Sequence, residues 1–184
     1  MRPVSIWPHV MLCTILAVPT RALSGMTVAL GADSHSHSDV HMVRLAIRRS
    51  WQRTWLADGD WYLSGHWAFE LGAWSGNEGA AGSKTLVDAG AGAVVRLRRK
   101  ASAEGGAIPF VEAGTGAYIL SGTTIGGREL SSALQFGSHL GAGLLFGHGR
   151  RYELGWRFLH FSNARIEKPN DGFNFNLIYF GRRF

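Results

Sequence analysis

Apolar and polar residues alternate along most of the chain after residue 25, and this period of two is typical of β-strands. Short stretches rich in Gly, Asn, Asp and Ser separate the alternating segments and favour turns. Each segment has about nine residues or more, the length that a tilted strand needs to cross a bilayer. The pattern predicts eight strands, near 26–34, 40–51, 60–73, 85–99, 107–120, 132–146, 151–163 and 173–184.

Each predicted strand has an apolar face and a face that mixes glycine with polar or charged residues. Near 151–163, for example, Trp156 and Phe158 alternate with Glu153 and Arg157. An outer-membrane barrel turns its apolar face to lipid and keeps a polar interior. The predicted fold class is therefore all-β, an eight-stranded antiparallel transmembrane up-and-down β-barrel. A soluble lipocalin-like cup is the alternative, and it requires an apolar lumen.

Glycines at alternate positions, such as Gly90 with Gly92 and Gly141 with Gly143, leave room for long side chains inside a narrow barrel. We expect the charged residues of the same faces to form ion pairs in a lumen that holds little water. The residues predicted to meet there are Glu70, Glu112, Arg44, Arg96 and Arg157.

If the first strand begins on the periplasmic side, segments 74–84 and 121–131 become outer loops. His160 and Ser162 then lie at the outer end of the seventh strand, on its lipid-facing side. Tryptophan favours the lipid-facing and interfacial positions of such barrels. The tryptophans predicted to occupy these positions are Trp51, Trp55, Trp61, Trp67, Trp74 and Trp156.

The start of the chain has the features of an export signal. Arg2 supplies a positive charge, an apolar stretch follows, and small residues stand at the cleavage positions. We predict a cleaved signal peptide over 1–24 and a single barrel domain over 25–184. An ordinary first helix is the alternative, and Pro8 and Pro19 argue against it.

Composition excludes several other classes of protein. With 46% apolar and 17% charged residues, and no G-X-Y period among its 25 glycines, the chain is neither collagen nor a disordered linker. Loss of residues 1–24 lowers the formal net charge from +6 to +4 and removes Cys13, the single cysteine. The mature chain then has no disulfide or thiolate chemistry. An exported barrel is also a poor candidate for binding nucleic acid.

His160 and Ser162 are neighbours on a face that otherwise carries tyrosine, leucine, tryptophan and phenylalanine. Polar side chains that face lipid are costly unless they have a role. A serine hydroxyl becomes a nucleophile when an adjacent base takes its proton, and imidazole can do so. The pair therefore indicates either catalysis or an interfacial polar pair near the headgroups.

Residues 160–174, HFSNARIEKPNDGFN, resemble the signature of the outer-membrane lipid A 3-O-deacylases, the PagL family. The family pattern is His-x-Ser-Asn-Ala, a short loop, Pro-Asn-x-Gly, and then an acid two residues after that glycine. The stretch PFVEAGTG at 109–116 is similar as well. The resemblance implies an eight-stranded barrel in the bacterial outer membrane with a serine-hydrolase site at the outer leaflet.

Carried over by position, the resemblance implies that His160 is the general base and Ser162 the nucleophile. It implies that Asn163 and Asn170 help to hold the loop and the oxyanion. The chain departs from the pattern at Asn174, where the family has glutamate. An amide oxygen can still accept the imidazole N–H, but it does not stabilise the imidazolium by charge.

Two acids of the same loop, Glu167 and Asp171, are candidates to act in place of the missing glutamate. The basic residues Arg165 and Lys168 could attract lipid A phosphates, and a solvated surface charge is the ordinary alternative for both.

The implied reaction is hydrolysis of the 3-O-linked acyl ester of lipid A, with release of a 3-hydroxy fatty acid. Lipid A, or lipopolysaccharide, is the implied substrate, and outer-membrane lipid is the surrounding partner. The sequence leaves open whether the chain forms a homodimer. The resemblance implies no metal and no organic cofactor.

Other interpretations remain. The protein could be a non-catalytic structural or adhesive barrel in which Asn174 marks lost activity. His35, His37 and His41 alternate in a way that can chelate a metal, although such a stretch is more often a polar loop.

Overall fold

The computed structural model describes residues 23–35, 39–76, 85–100 and 106–184. Eight long strands close into one antiparallel barrel, and two two-residue strands form a separate hairpin. The long strands are β1 (Gly25–Asp33), β2 (His41–Ser50), β3 (Trp61–Ser75), β4 (Thr85–Arg99), β5 (Ile108–Leu120), β8 (Leu134–Phe146), β9 (Tyr152–Ser162) and β10 (Phe173–Arg183), and the hairpin strands are β6 (Thr124–Ile125) and β7 (Arg128–Glu129).

The barrel has a simple meander topology. Each long strand pairs with its neighbour along the chain, and β1 pairs with β10 to close the barrel. The prediction of an eight-stranded antiparallel barrel is confirmed. The β6–β7 hairpin, which lies between β5 and β8, was not predicted, because two residues per strand leave no readable alternation.

Most of the predicted signal peptide lies outside the described residues. Residues 1–22, which include Cys13, are not described, and β1 begins at Gly25. The signal peptide over 1–24 and the domain over 25–184 therefore remain predictions. Within the described part of the chain, no helix is long and apolar enough to cross a membrane.

The outward face of the barrel is apolar, as the alternation predicts. On β9, Leu154 and Trp156 are 49% and 43% exposed, whereas Glu153 and Arg157, which flank them along the strand, are 0% and 7% exposed. The other long strands likewise expose apolar side chains and bury polar ones. An apolar outer wall around a charged interior is the arrangement of a barrel that contacts lipid.

Ion pairs fill the middle of the lumen. Glu112 accepts from Arg96 at 2.6 Å and from Arg157 at 2.8 Å. Arg44 lies 3.1 Å from Glu70 and 2.9 Å from Asp88. The predicted ion-paired lumen is confirmed. This charged interior does not fit the soluble cup, which requires an apolar lumen.

Aromatic side chains fill one end of the lumen. Trp74 is 1% exposed and makes edge-to-face contacts with Phe161, Phe173 and Phe175. Its indole Nε1–H donates to Asp88 at 2.6 Å. The prediction that Trp74 faces lipid is wrong, because Trp74 shares the inward parity of Glu70 on β3.

The connections divide between the two ends of the barrel. We call the end that carries segments 34–40, 76–84, 121–133 and 163–172 the loop end, and the opposite end the turn end. The hairpin closes the lumen at the loop end, where Ile125 is fully buried against the aromatic residues. Gly126 and Gly127, with φ of 56° and 74°, supply the two left-handed residues of its tight turn.

Candidate active site

His160 and Ser162 lie two residues apart where β9 reaches the loop end. Both side chains point to the outward face, because alternate residues of a strand share a face. Nε2 of His160 is 3.1 Å from Oγ of Ser162. At this distance an imidazole can accept the hydroxyl proton, which makes the serine oxygen a nucleophile.

Asn174 stands directly opposite His160 in the pairing of β9 with β10. Its Oδ1 lies 2.7 Å from Nδ1 of His160. Because an amide oxygen only accepts, Nδ1 carries the hydrogen, and Nε2 presents its lone pair to Ser162. The three side chains form a continuous hydrogen-bonded chain on the outer wall.

The loop after β9 is held by Asn163, which is fully buried. Its Nδ2 donates to the carbonyl oxygens of Leu130 at 2.9 Å and Glu167 at 3.0 Å. Its backbone N–H donates to Oδ1 of Asn170 at 3.3 Å. The side chain of Asn163 therefore supports the loop, and the Asn170 carboxamide lies beside the end of β9.

Gly172 brings the backbone close to the imidazole. Its φ of 60° is left-handed, and a Cβ at this position would lie 3.0 Å from the carbonyl oxygen of Phe161 and 3.4 Å from Cε1 of His160. Glycine is the residue that adopts this conformation without strain and without a side chain against His160.

The family described as lipid A 3-O-deacylase (PagL) matches residues 41–183 of this sequence. The lipid A deacylase PagL of Pseudomonas aeruginosa is 33% identical over 169 residues, which cover 88% of each chain. The Bordetella bronchiseptica enzyme of the same name is 44% identical over 63 residues, 34% of each chain. A crystal structure of the outer membrane enzyme PagL matches with a TM-score of 0.76 and 28% identity, over 88% of this chain and 100% of that one.

This chain belongs to the PagL family.

The predicted substitutes for the PagL-family acid do not contact the imidazole. Asp171 directs Oδ2 to the backbone N–H of Glu129, at 2.8 Å, and the side chain of Glu167 is exposed. Asn174 occupies the position against Nδ1 of His160. The structure thus brings together His160, Ser162 and Asn174, and keeps both loop acids apart from them.

One carboxylate near this PagL-family site was missed in the sequence. Oδ1 of Asp33 accepts the backbone N–H of Asn174 at 3.0 Å, and Oδ2 lies 2.6 Å from Nη1 of Arg128. Nη2 of Arg128 donates to the carbonyl oxygens of Asp171, at 3.0 Å, and Gly172. Asp33 precedes Asn174 by 141 positions, so only the closure of the barrel reveals their contact.

The hairpin packs against the loop of residues 163–172. Asp171 and Glu129 are also joined by a backbone hydrogen bond of 3.1 Å, and Oγ of Ser131 donates to the carbonyl oxygen of Pro169 at 2.6 Å. The hairpin therefore braces the loop that connects Ser162 to Asn174. The sequence pattern predicts a loop at 121–131 but gives no sign of this contact.

The outward surface around the site mixes apolar and hydroxyl groups. Phe136 of β8 is paired with Ser162, and Ser138 is paired with His160. Oγ of Ser138 lies 3.2 Å from Oγ1 of Thr115 on β5. A lipid that contacts Ser162 would lie along this wall, outside the barrel.

The metal interpretation of the histidines that alternate near the first loop lies partly outside the described residues. His35 and His41 are described, whereas His37 is not. Among all the residues that the structure describes, no group of three or more His, Cys, Asp or Glu side chains is arranged to hold a metal ion.

Proposed function

We propose that this chain is a serine esterase of the bacterial outer membrane that removes the 3-O-linked acyl chain of lipid A. Membership of the lipid A 3-O-deacylase family supports the substrate and the bond. The apolar outer wall of the barrel supports the location in the membrane.

The observation that carries the proposal is the outward hydrogen-bonded chain of Ser162, His160 and Asn174. These side chains face the position of lipid rather than the ion-paired lumen. A nucleophile on that surface is directly accessible to a lipid of the surrounding leaflet. The loop end is then the outer end of the barrel, and the site lies at the outer leaflet.

The reaction begins when Nε2 of His160 takes the hydroxyl proton of Ser162 and Oγ attacks the ester carbonyl carbon. A tetrahedral intermediate forms, and the carbonyl oxygen becomes an oxyanion. The bond between the carbonyl carbon and the sugar oxygen then breaks, His160 gives the proton to that departing oxygen, and the acyl group stays on Ser162. Water, activated by the same imidazole, releases the 3-hydroxy fatty acid and restores the serine.

Asn170 is the candidate donor to the oxyanion. Its Oδ1 accepts the backbone N–H of Asn163, so the Nδ2 hydrogens of the same carboxamide are directed away from that contact. Preorganised N–H donors of this kind stabilise charge that develops on the carbonyl oxygen. Asn163 acts as a positioning residue through its bonds to Leu130 and Glu167.

The exposed residues Arg165 and Lys168 lie in the loop beside the site. We propose that they attract the lipid A phosphates, which the polar surface of the outer leaflet presents at this level. A homodimer remains a prediction, and measurement of the particle mass in detergent tests it.

The test is mass spectrometry of lipid A from a host that expresses the wild-type chain, Ser162→Ala or Ser138→Ala. Wild type and Ser138→Ala are expected to remove one 3-hydroxyacyl group, and Ser162→Ala is expected to remove none. Heat-modifiable migration in detergent gels verifies that each barrel is folded.

A non-catalytic barrel is the second candidate, and the amide of Asn174 in place of the family acid favours it. Unchanged lipid A with the folded wild-type barrel, both in membranes and in detergent, would support this candidate over the esterase. Labelling of Ser162 by a serine-directed phosphonate would instead support the esterase.

A further inference from the structure

The lumen contains a second polar site at the turn end, far from His160. A cavity of about 70 Å³ opens there between β2, β3, β4 and the end of β10, and its lining includes Arg48, Arg96, Arg98 and Arg183. No acidic side chain appears among the described residues of its lining. The volume is enough for a small oxyanion or about two water molecules.

Four unpaired hydrogen-bond donors belong to the residues that line this cavity. Of the eight buried side-chain atoms that have no partner among the described residues, four are Nε and Nη2 of Arg48, Nε of Arg98 and Nε1 of Trp51. Arg48 is only 5% exposed. Buried polar groups are usually paired, and all four of these atoms donate.

The charge of the lumen is balanced without the outermost arginines. Arg44, Arg48, Arg96 and Arg157 are matched by Glu70, Asp88, Glu112 and Glu153 through ion pairs. Arg98 lies over the ring of Tyr62 at 4.7 Å, and Arg183 donates to the carbonyl oxygen of Arg150 at 3.3 Å. These two guanidinium groups therefore add uncompensated positive charge at the cavity.

Water can pair with the hydroxyl groups of Ser24, Ser50, Ser64 and Thr54, which also line the cavity, but it leaves the extra positive charge of the arginines without a countercharge. An oxyanion accepts from every side and neutralises the extra charge, and guanidinium groups bind phosphate in a planar, bidentate manner. Trp51 forms one wall, since its indole covers the backbone of Gly65 so closely that a Cβ there would overlap it.

We propose that the turn-end cavity binds a phosphate group, held by Arg48, Arg98 and the indole N–H of Trp51. The phosphate belongs either to free inorganic phosphate or to the headgroup of a phospholipid in the adjacent leaflet. The binding is independent of ester hydrolysis at the loop end.

The test uses the barrel folded in a neutral detergent, with ionic strength held constant by sodium chloride. Inorganic phosphate is titrated by calorimetry, and phosphatidylglycerol binding is measured by native mass spectrometry. The variants are Arg98→Gln and, as a matched control, Arg99→Gln, an exposed arginine at the next position of β4. Both variants lose one positive charge at the same end of the barrel.

We expect saturable binding to the wild type, about tenfold weaker binding to Arg98→Gln, and unchanged binding to Arg99→Gln. Trp51→Phe, which keeps a ring but lacks the N–H, is expected to weaken binding as well. Preferential binding of phosphatidylglycerol that inorganic phosphate displaces identifies a headgroup site, and binding of phosphate alone identifies the free ion. No saturable binding of either, or equal weakening by Arg98→Gln and Arg99→Gln, overturns the proposal.

Discussion

Oδ1 of Asn174 lies 2.7 Å from Nδ1 of His160, so an amide fills the position that a carboxylate has in the family pattern. By accepting the Nδ1–H, the amide fixes the tautomer of the imidazole, as a carboxylate at the same position would. In the proposed acyl transfer, it would leave the imidazolium of His160 without a countercharge.

Asn174→Asp is therefore expected to accelerate deacylation by roughly fivefold to thirtyfold, because a hydrogen bond to a charged group is stronger by about 1–2 kcal/mol. Aspartate has the length of asparagine and keeps the contact. Initial rates on lipid A in mixed micelles measure the effect. Asn176→Asp, which adds the same charge two residues along β10, is the control. A slower Asn174→Asp enzyme would contradict the expectation.

Gly172→Ala is expected to lower the rate by about tenfold or more, because its Cβ would lie 3.0 Å from the carbonyl oxygen of Phe161 and so shift the backbone that connects His160 to Ser162. Gly127→Ala is the matched control, since Gly127 is also left-handed but has open space around it. Both variants carry a similar backbone strain. Equal rates for the two variants, measured with folded protein, would show that the crowding has no effect on catalysis.

Arg128→Gln is expected to lower kcat roughly tenfold, with a smaller effect on KM, because Arg128 and Asp33 position Asn174 without touching the substrate. The comparison is Arg165→Gln, which removes an exposed arginine from the neighbouring loop and is expected to change KM instead. Steady-state kinetics separate the two parameters. A kcat close to that of the wild type in Arg128→Lys would support a role through charge. An unchanged kcat in Arg128→Gln would exclude the positioning role.

Glu112→Gln is expected to destabilise the barrel by about 3–5 kcal/mol, since it leaves Arg96 and Arg157 buried without their shared carboxylate. Urea unfolding in detergent, followed by tryptophan fluorescence, measures the change. The activity of the folded fraction should remain that of the wild type, because Glu112 faces the lumen. Glu167→Gln, an exposed substitution, should alter the midpoint little; a similar loss in both would argue against the ion-pair explanation.

The strands were predictable because the two faces of a lipid-facing barrel differ sharply in polarity. Residues such as Leu154, which is exposed, and Arg157, which is buried, differ in polarity and so indicate which positions face outward and which face inward. Trp74 shows the limit of residue type as a guide, because its parity on β3 places it inside although tryptophan favours interfaces. The aromatic end of the lumen, which Trp74 shares with Phe161, was not predicted for the same reason.

The candidate site was only partly predictable. The spacing of His160 and Ser162 places them on one face, but their contact with Asn174 depends on the register of β9 and β10. The assignment of Asn174 as the partner of His160 rests on the family resemblance and not on the spacing. The contact of Asp33 with Asn174 depends on closure between the first and last strands, which no local pattern specifies.

The outward position of Ser162 makes the proposed reaction two-dimensional. A lipid confined to the leaflet reaches the serine by lateral diffusion along the wall of the barrel. The encounter rate then depends on the mole fraction of substrate among the surrounding lipids, not on its amount per litre. Dilution with an inert lipid would slow turnover, whereas addition of more membrane of the same composition would leave the rate per enzyme unchanged.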